Sequence, residues 1–131
     1  YMHNRGRLVV ACFLIKVLGI DWHMGERYFA QKLVDYDPIL NNMNWQFCAS
    51  TAPFSQPYFR IFNPWIQSKK HDAECVYIKH WLPELKNVLN KDIHRWNIVF
   101  DKYKNVKYPE PVCDFDKQKQ IVQLRYKKLN R

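Results

Sequence analysis

Apolar residues recur along the chain at helical spacing, and no segment sustains the alternation of a strand. The pattern predicts a first helix over 3–20. Its opening turn is polar and basic (His3, Asn4, Arg5, Arg7), and from Leu8 to Ile20 it is apolar almost all round. A helix of that kind expects neighbours on several faces. Gly19 suits its terminus. Asp21 is placed to cap a second helix over 22–34, which carries Trp22, Tyr28, Phe29 and Leu33 at helical spacing. Asp35-Tyr36-Asp37-Pro38 is a break, and Pro38 suits the first turn of a third helix over 39–49.

Between Ser50 and Lys70 the texture changes. Pro53, Pro57 and Pro64 stand among Ser, Thr, Gln and Asn, while Tyr58, Phe59, Ile61, Phe62 and Trp65 make the stretch too apolar for a linker. It is expected to be a long, ordered loop of the kind that often carries function. Further helices are expected over 72–81, ending before Pro83, with one more turn over 83–89 and a short amphipathic helix over 96–103. Tyr108-Pro109-Glu110-Pro111 is expected to be extended, because alternate prolines disfavour helix. A last helix covers 114–129, with Phe115, Ile121, Leu124 and Leu129 among its apolar positions. The fold class is all-α with long connections.

Length and composition narrow the reading. The 131 residues suit one domain or a piece of a larger one. A hydrophobic content of 47% with 16% aromatics supplies a core and argues against disorder. The most apolar stretch, Leu8–Ile20, is shorter than the ~20 residues of a membrane span and contains Lys16. No secretory leader opens the chain, so an intracellular location is expected. Tyr1 rather than Met at the start suggests a cut N-terminus.

The net charge of +9 suits a polyanion such as nucleic acid, although the last 15 residues alone hold six basic side chains and no acidic one. A solvated basic tail is the plainer alternative. Cys12, Cys48, Cys75 and Cys113 are far apart in sequence and the five histidines lack ligand spacing, so no metal site is expected. Cys12 reads as a small core residue and the thiols as reduced.

Residues 1–65 gather three tryptophans with Asn4, Arg5, Arg7, Asp35, Asp37, Asn41 and Asn42 among apolar helices. Charges beside apolar helices are paired or bound to something polar, and Arg7 with Asp35 is a candidate pair. A planar polar ligand would account for the remainder, with amides and carboxylates on its edge and aromatics on its faces. A core with a few ion pairs is the alternative.

Tyr1-Met2-His3-Asn4-Arg5-Gly6-Arg7, Asp21-Trp22-His23-Met24-Gly25-Glu26-Arg27-Tyr28-Phe29, Asp35-Tyr36-Asp37, Asn41-Asn42-Met43-Asn44-Trp45-Gln46 and Pro57-Tyr58-Phe59-Arg60-Ile61-Phe62-Asn63-Pro64 resemble, in order and spacing, the cryptochrome/photolyase family. Trp81-Leu82-Pro83-Glu84-Leu85 and Tyr108-Pro109-Glu110-Pro111 continue the likeness. It covers essentially the whole chain, which looks like the C-terminal half of the helical FAD-binding domain over 1–131, nearest in character to microbial CPD photolyases.

The resemblance implies an FAD site. Asn41 corresponds to the residue facing flavin N5, where plant-type cryptochromes carry an acid. Asp37 corresponds to an acceptor at the N3 edge, Asp35 and Arg7 to the ion pair beside the isoalloxazine, and Asn4 and Phe29 to positions lining the same cavity. Trp45 and Trp22 correspond to the first two members of the family's electron-transfer chain.

On the substrate side, Arg5 matches a DNA-contacting position. Leu8 stands where CPD photolyases usually have Met, and Phe47 where they usually have a lesion-stacking Trp. Met43 and Asn44 replace small residues beside the flavin.

The implied activity is light-driven repair of cyclobutane pyrimidine dimers in damaged DNA by an electron from reduced FAD. The alternatives are a cryptochrome-like photosensor and an inactive DNA-binding fragment. Family members are several times longer. The chain is therefore expected to be a fragment, one part of a split gene or a decaying copy, and a split gene would need a separate chain carrying the antenna domain and the first half of the FAD domain.

Overall fold

The computed structural model describes residues 2–55 and 60–129. The expectation of an ordered apolar loop at Pro57, Tyr58 and Phe59, and the last basic residue, Arg131, lie outside them. Among the described residues the elements are eight α-helices and short 3₁₀ turns, with no strand. No helix among them is long and apolar enough to cross a membrane. The chain divides into two compact units, Tyr1–Phe62 with Phe115–Arg131, and Asn63–Asp114.

In the first unit, α1 (Asn4–Lys16), α2 (Trp22–Lys32) and α3 (Pro38–Ala49) pack on one another. Each begins where a side chain satisfies a free backbone N–H. His3 Nδ1 accepts from Arg5 N–H at 3.1 Å, Asp21 Oδ1 from His23 N–H at 2.9 Å, and Asp37 Oδ1 from Leu40 N–H at 2.8 Å. Pro38 occupies the first turn of α3, as its fixed φ allows.

Helix α1 stops at Lys16, four residues short of the expected end, and Gly19 takes a positive φ of 70° in the turn that follows. Helix α3 ends without a glycine: Ser50 itself adopts the left-handed conformation at φ 62°. The core of this unit is Ala11, Cys12, Phe29, Trp45, Cys48 and Phe62, with Met2, Leu8, Trp22, Leu33 and Phe47 packed around it.

Helix α8 (Phe115–Leu129) belongs to the same unit. It buries Phe115 and Val122, and Tyr126 donates its hydroxyl to the Ala49 carbonyl at the end of α3, at 3.2 Å.

The second unit holds α4 (Pro64–His71), α5 (Val76–Trp81), a 3₁₀ turn at Pro83–Leu85, α6 (Asn90–Ile93), α7 (Trp96–Val99) and a second 3₁₀ turn at Phe100–Tyr103. Helix α4 falls inside the stretch expected to be loop. The prolines that suggested a loop act here as starters: Asn63 Oδ1 caps Trp65 and Ile66 N–H, and Pro64 is the first helical residue. The helix expected over 72–81 begins four residues late, because Asp72 turns back to accept from Tyr77 and Ile78 N–H.

Cys75, Leu85, Val88, Ile93 and Trp96 form the second core. The Trp96 indole donates to Pro109 O at 2.9 Å, which holds the extended 108–111 segment against it.

Candidate functional site

A cavity of about 260 Å³ opens between α1, α2 and α3 and the α2–α3 connection. Part of its lining is apolar, with Leu8 and Ala11 from α1, Phe29 and Leu33 from α2 and its end, and Trp45 and Cys48 from α3. Part is polar, with Asn4, Arg7, Asp35, Asp37, Asn41 and Asn44. Nonpolar faces with a few polar groups at the rim suit a flat ligand that is apolar on its faces and hydrogen-bonds along its edge.

Arg7 and Asp35, both in the cavity lining, form an ion pair, with Arg7 Nη2 2.6 Å from Asp35 Oδ2. The Arg7 Nε–H donates to the Met2 carbonyl at 2.6 Å, which fixes the plane of the guanidinium. The hydrogen bond from Arg7 holds the Asp35 carboxyl below its ordinary range. The pair expected from the residue types is therefore formed, and it adds no net charge to the rim.

The asparagine run at the start of α3 divides its work. Asn41 donates both amide hydrogens to Glu26, one to the backbone carbonyl at 3.1 Å and one to Oε1 at 3.0 Å. Its Oδ1 has no hydrogen bond among the described residues and is left as an acceptor on a residue that lines the cavity. Asn42 instead accepts from Gln46 one turn on, and Asn44 donates back to the Leu40 carbonyl. Asp37, which lines the cavity, commits Oδ1 to the α3 cap, and its Oδ2 has no hydrogen bond among the described residues.

Trp45 forms the floor. It is 2% exposed, with Phe29 edge-on at a centroid distance of 5.0 Å and an interplanar angle of 82°. Its six-membered ring lies against the α2 backbone at Gly25, so closely that a Cβ there would overlap Cη2 and Cζ3. Trp22, one turn before Gly25, packs on the same cluster and stacks on His23 at 3.8 Å, but does not line the cavity.

The structure thus brings Asn4, Arg7, Leu8, Phe29, Asp35, Asp37, Asn41 and Trp45 to one cavity. It leaves Arg5 exposed and outside it. Phe47 also lies outside, lining a smaller cavity with Cys12, Lys16 and Cys48 and stacking on Phe54 at 6.1 Å. Of the two residues that stand where the family has small ones beside the flavin, Asn44 lines the cavity and Met43 does not. Sequence reasoning missed Glu26, whose place four residues after Trp22 was legible but whose partner Asn41 was not, and Cys48, which gives no signal beyond its apolar surroundings.

Residues 1–128 match the family model for the FAD-binding domain of DNA photolyase. The chain is 44% identical over 128 residues to a deoxyribodipyrimidine photo-lyase of Vibrio cholerae, covering 97% of this chain and 27% of that protein. It is 46% identical over 115 residues to the one of Escherichia coli, covering 87% of this chain and 24% of that protein. The chain therefore spans about a quarter of the length of these relatives.

Among solved structures, a photolyase of Sulfolobus tokodaii with two FAD molecules superposes with a TM-score of 0.86 at 47% identity, over 98% of this chain and 28% of that one. A cryptochrome of Synechocystis superposes with 0.84 at 38% identity, over 95% and 27%. With the all-α fold, the cavity and these likenesses in agreement, the chain belongs to the DNA photolyase family, within its FAD-binding domain.

Proposed function

We propose that the α1–α2–α3 cavity holds the isoalloxazine end of FAD and that the chain serves light-driven repair of cyclobutane pyrimidine dimers in damaged DNA. The observation that carries the reading is the convergence of the Arg7–Asp35 pair, the Asp37 carboxylate and the Asn41 carbonyl oxygen around one aromatic-floored cavity.

The donor set fits the group. A ring with N–H and C=O groups along its edge finds an acceptor at Asp37, a neutral amide oxygen at Asn41 and a cation balanced by Asp35. At about 260 Å³ the cavity falls below the roughly 300–1,000 Å³ of sites enclosing a whole drug-sized ligand, so it suits the ring rather than all of FAD. Residues outside 1–131 would hold the adenine and phosphates, on the same or a second polypeptide.

Reduced FAD, when bound, supplies the light absorption and the electron for splitting the dimer. The chain's own part is positioning. Asn41 offers an uncharged acceptor, Phe29 and Trp45 exclude water from the apolar face, and Arg7–Asp35 keeps the rim neutral. Trp45 and Trp22, oxidisable indoles in one packed cluster, are the proposed route by which electrons reach the site. Arg5 and Phe47 are the proposed DNA contacts, and Leu8 reaches the ligand from α1.

The stacking of Phe47 on Phe54 favours a second reading, because a ring already stacked within the chain is less free to receive an extruded base. In that reading the chain holds flavin as a photosensor without repair.

The test is complementation. The chain is mixed with FAD, alone and with the portion of the Vibrio cholerae relative that it does not span. FAD retention through gel filtration and blue-light repair of a dimer-containing oligonucleotide are then measured. Retention and repair with the complement, both lost in an Arg7→Ala Asn41→Ala variant, support the proposal. Retention without repair supports the photosensor, and no retention in either mixture overturns the FAD assignment.

A further inference from the structure

Helix α1 ends on Lys16, a lysine only 4% exposed at the close of an apolar run. Burying an ammonium is costly unless hydrogen bonds satisfy it. The Lys16 Nζ donates to the Arg60 carbonyl at 2.9 Å, across 44 positions of sequence. Arg60 in turn lays its guanidinium over the Phe62 ring, 4.5 Å from the centroid, and Phe62 is buried in the core with Cys12 and Cys48. Residues 60–62 belong to no helix, and among the described residues no main-chain to main-chain hydrogen bond reaches them. Lys16 is a tie between this segment and α1.

The tie adjoins Phe47. Lys16, Phe47, Arg60 and Phe62 border one chamber of about 20 Å³, and Lys16 does not line the larger cavity. The chamber is the size of a water, so these side chains are packing neighbours and enclose no ligand. We propose that Lys16 is a positioning residue for the DNA side of the protein: by holding the Arg60 main chain to the end of α1, it fixes the surroundings of Phe47, the ring proposed above to meet an extruded base. This inference rests on that proposed function.

Lysine suits the task because its methylene stem packs along apolar surface while the tip carries three N–H donors. Methionine in its place would keep an apolar stem and lose the donor. The Arg60 carbonyl would then turn to water or stay unsatisfied, and the 60–62 segment would no longer be held beside Phe47. A ring already held in place loses less rotamer freedom when a base stacks on it. Removing the tie therefore weakens stacking on the lesion and leaves the flavin cavity as it was.

The experiment has two arms. In the first, the chain alone carries fluorophenylalanine, and the Phe47 signal is assigned with Phe47→Leu. Lys16→Met, checked for folding by circular dichroism, should move or broaden that signal. Lys16→Arg, which keeps a donor for the carbonyl, should leave it near the parent position.

In the second arm, the variants are mixed with FAD and the complementing portion of the Vibrio cholerae relative. Lys16→Met should bind a dimer-containing oligonucleotide roughly three- to tenfold more weakly, the effect of freeing one side chain. FAD retention, binding of undamaged DNA and repair at saturating DNA should match the parent, and Lys16→Arg should restore the affinity. In a Phe47→Ala background, Lys16→Met should cost nothing further, because the two changes act through one ring.

An unmoved Phe47 signal, an unchanged dimer affinity, or a full additional loss in the Phe47→Ala background overturns the inference while the proposed function stands. A parent mixture that holds FAD but does not prefer dimer-containing DNA overturns the repair reading, and the inference with it.

Discussion

At the scale of single residues, the site rests on side chains whose neighbours leave them one conformation. Gly25 is the clearest case. It is a glycine inside a helix, at a cost in helix propensity of about 1 kcal/mol relative to Ala, and its missing Cβ is where the Trp45 ring sits. Gly25→Ala must push either Trp45 or the α2 backbone away. The expected outcome is a net loss of about 1–3 kcal/mol in urea unfolding despite the better helix former, with a red-shifted Trp fluorescence as the indole gains water. A stabilised variant would show that the α2–α3 packing yields more easily than described.

Asp35 gives a pH test. Arg7 depresses its folded pKa. The pair therefore contributes stability that is complete above the unfolded value of about 3.9 and is lost as pH falls through the lower folded value. The parent should lose more stability than Asp35→Asn on going from pH 6 to below pH 3, so their melting temperatures should converge in acid. The exposure of the carboxylate keeps the difference small, and added salt should reduce it.

At the scale of helices, the caps decide where the site residues point. Asp37 both starts α3 and stands at the cavity rim, so the two roles need separating. Asp37→Ala removes the acceptor for Leu40 N–H and is expected to cost about 0.5–2 kcal/mol in thermal or urea unfolding. Asp37→Asn keeps a good cap and should stay within about 0.5 kcal/mol of the parent, while replacing a charged acceptor at the rim with a neutral one. If both variants melt like the parent, Asp37 does not cap α3 in solution.

Capping is also what made this part of the chain readable. Asp21 and Asp37 with Pro38 signal their helix starts locally, and the Arg7–Asp35 pair follows from two charges that needed partners. Helix α4 was hidden because prolines mark loops and helix starts alike, and only Asn63 before Pro64 distinguishes them. The turns at Ser50 and Cys75 adopt positive φ without glycine, so no residue type announced them. Lys16 looked like an interruption of an apolar run. Its burial depends on a carbonyl 44 residues away, which no local pattern encodes. The same holds for His94, buried through bonds to Ser68 at 3.0 Å, Ala73 O at 2.9 Å and Cys75 at 3.3 Å.

At the scale of the whole molecule, the distribution of charge sets a test of the proposed contact with nucleic acid. Asp116 is the sole acid from residue 115 onward, whereas five basic residues, from Lys117 to Lys128, fall within the described part of that stretch. Arg125, Lys127 and Lys128 are exposed on α8, beside the exposed Leu124, while Phe115 and Val122 are buried. Charge on an exposed helix face either meets phosphates or stays hydrated, and salt tells these apart. Each phosphate neutralised on B-DNA releases counterions and contributes about −0.9 to the slope of log K against log salt. Lys127→Gln with Lys128→Gln leaves the buried side of α8 intact, so folding should be unchanged by circular dichroism. If α8 touches the backbone, the slope for duplex DNA should flatten by about 1.8, equally for dimer-containing and undamaged sequences, because phosphate contacts carry no information about the lesion. An unchanged slope would make α8 a solvated surface and leave Arg5 and Phe47 as the proposed DNA contacts.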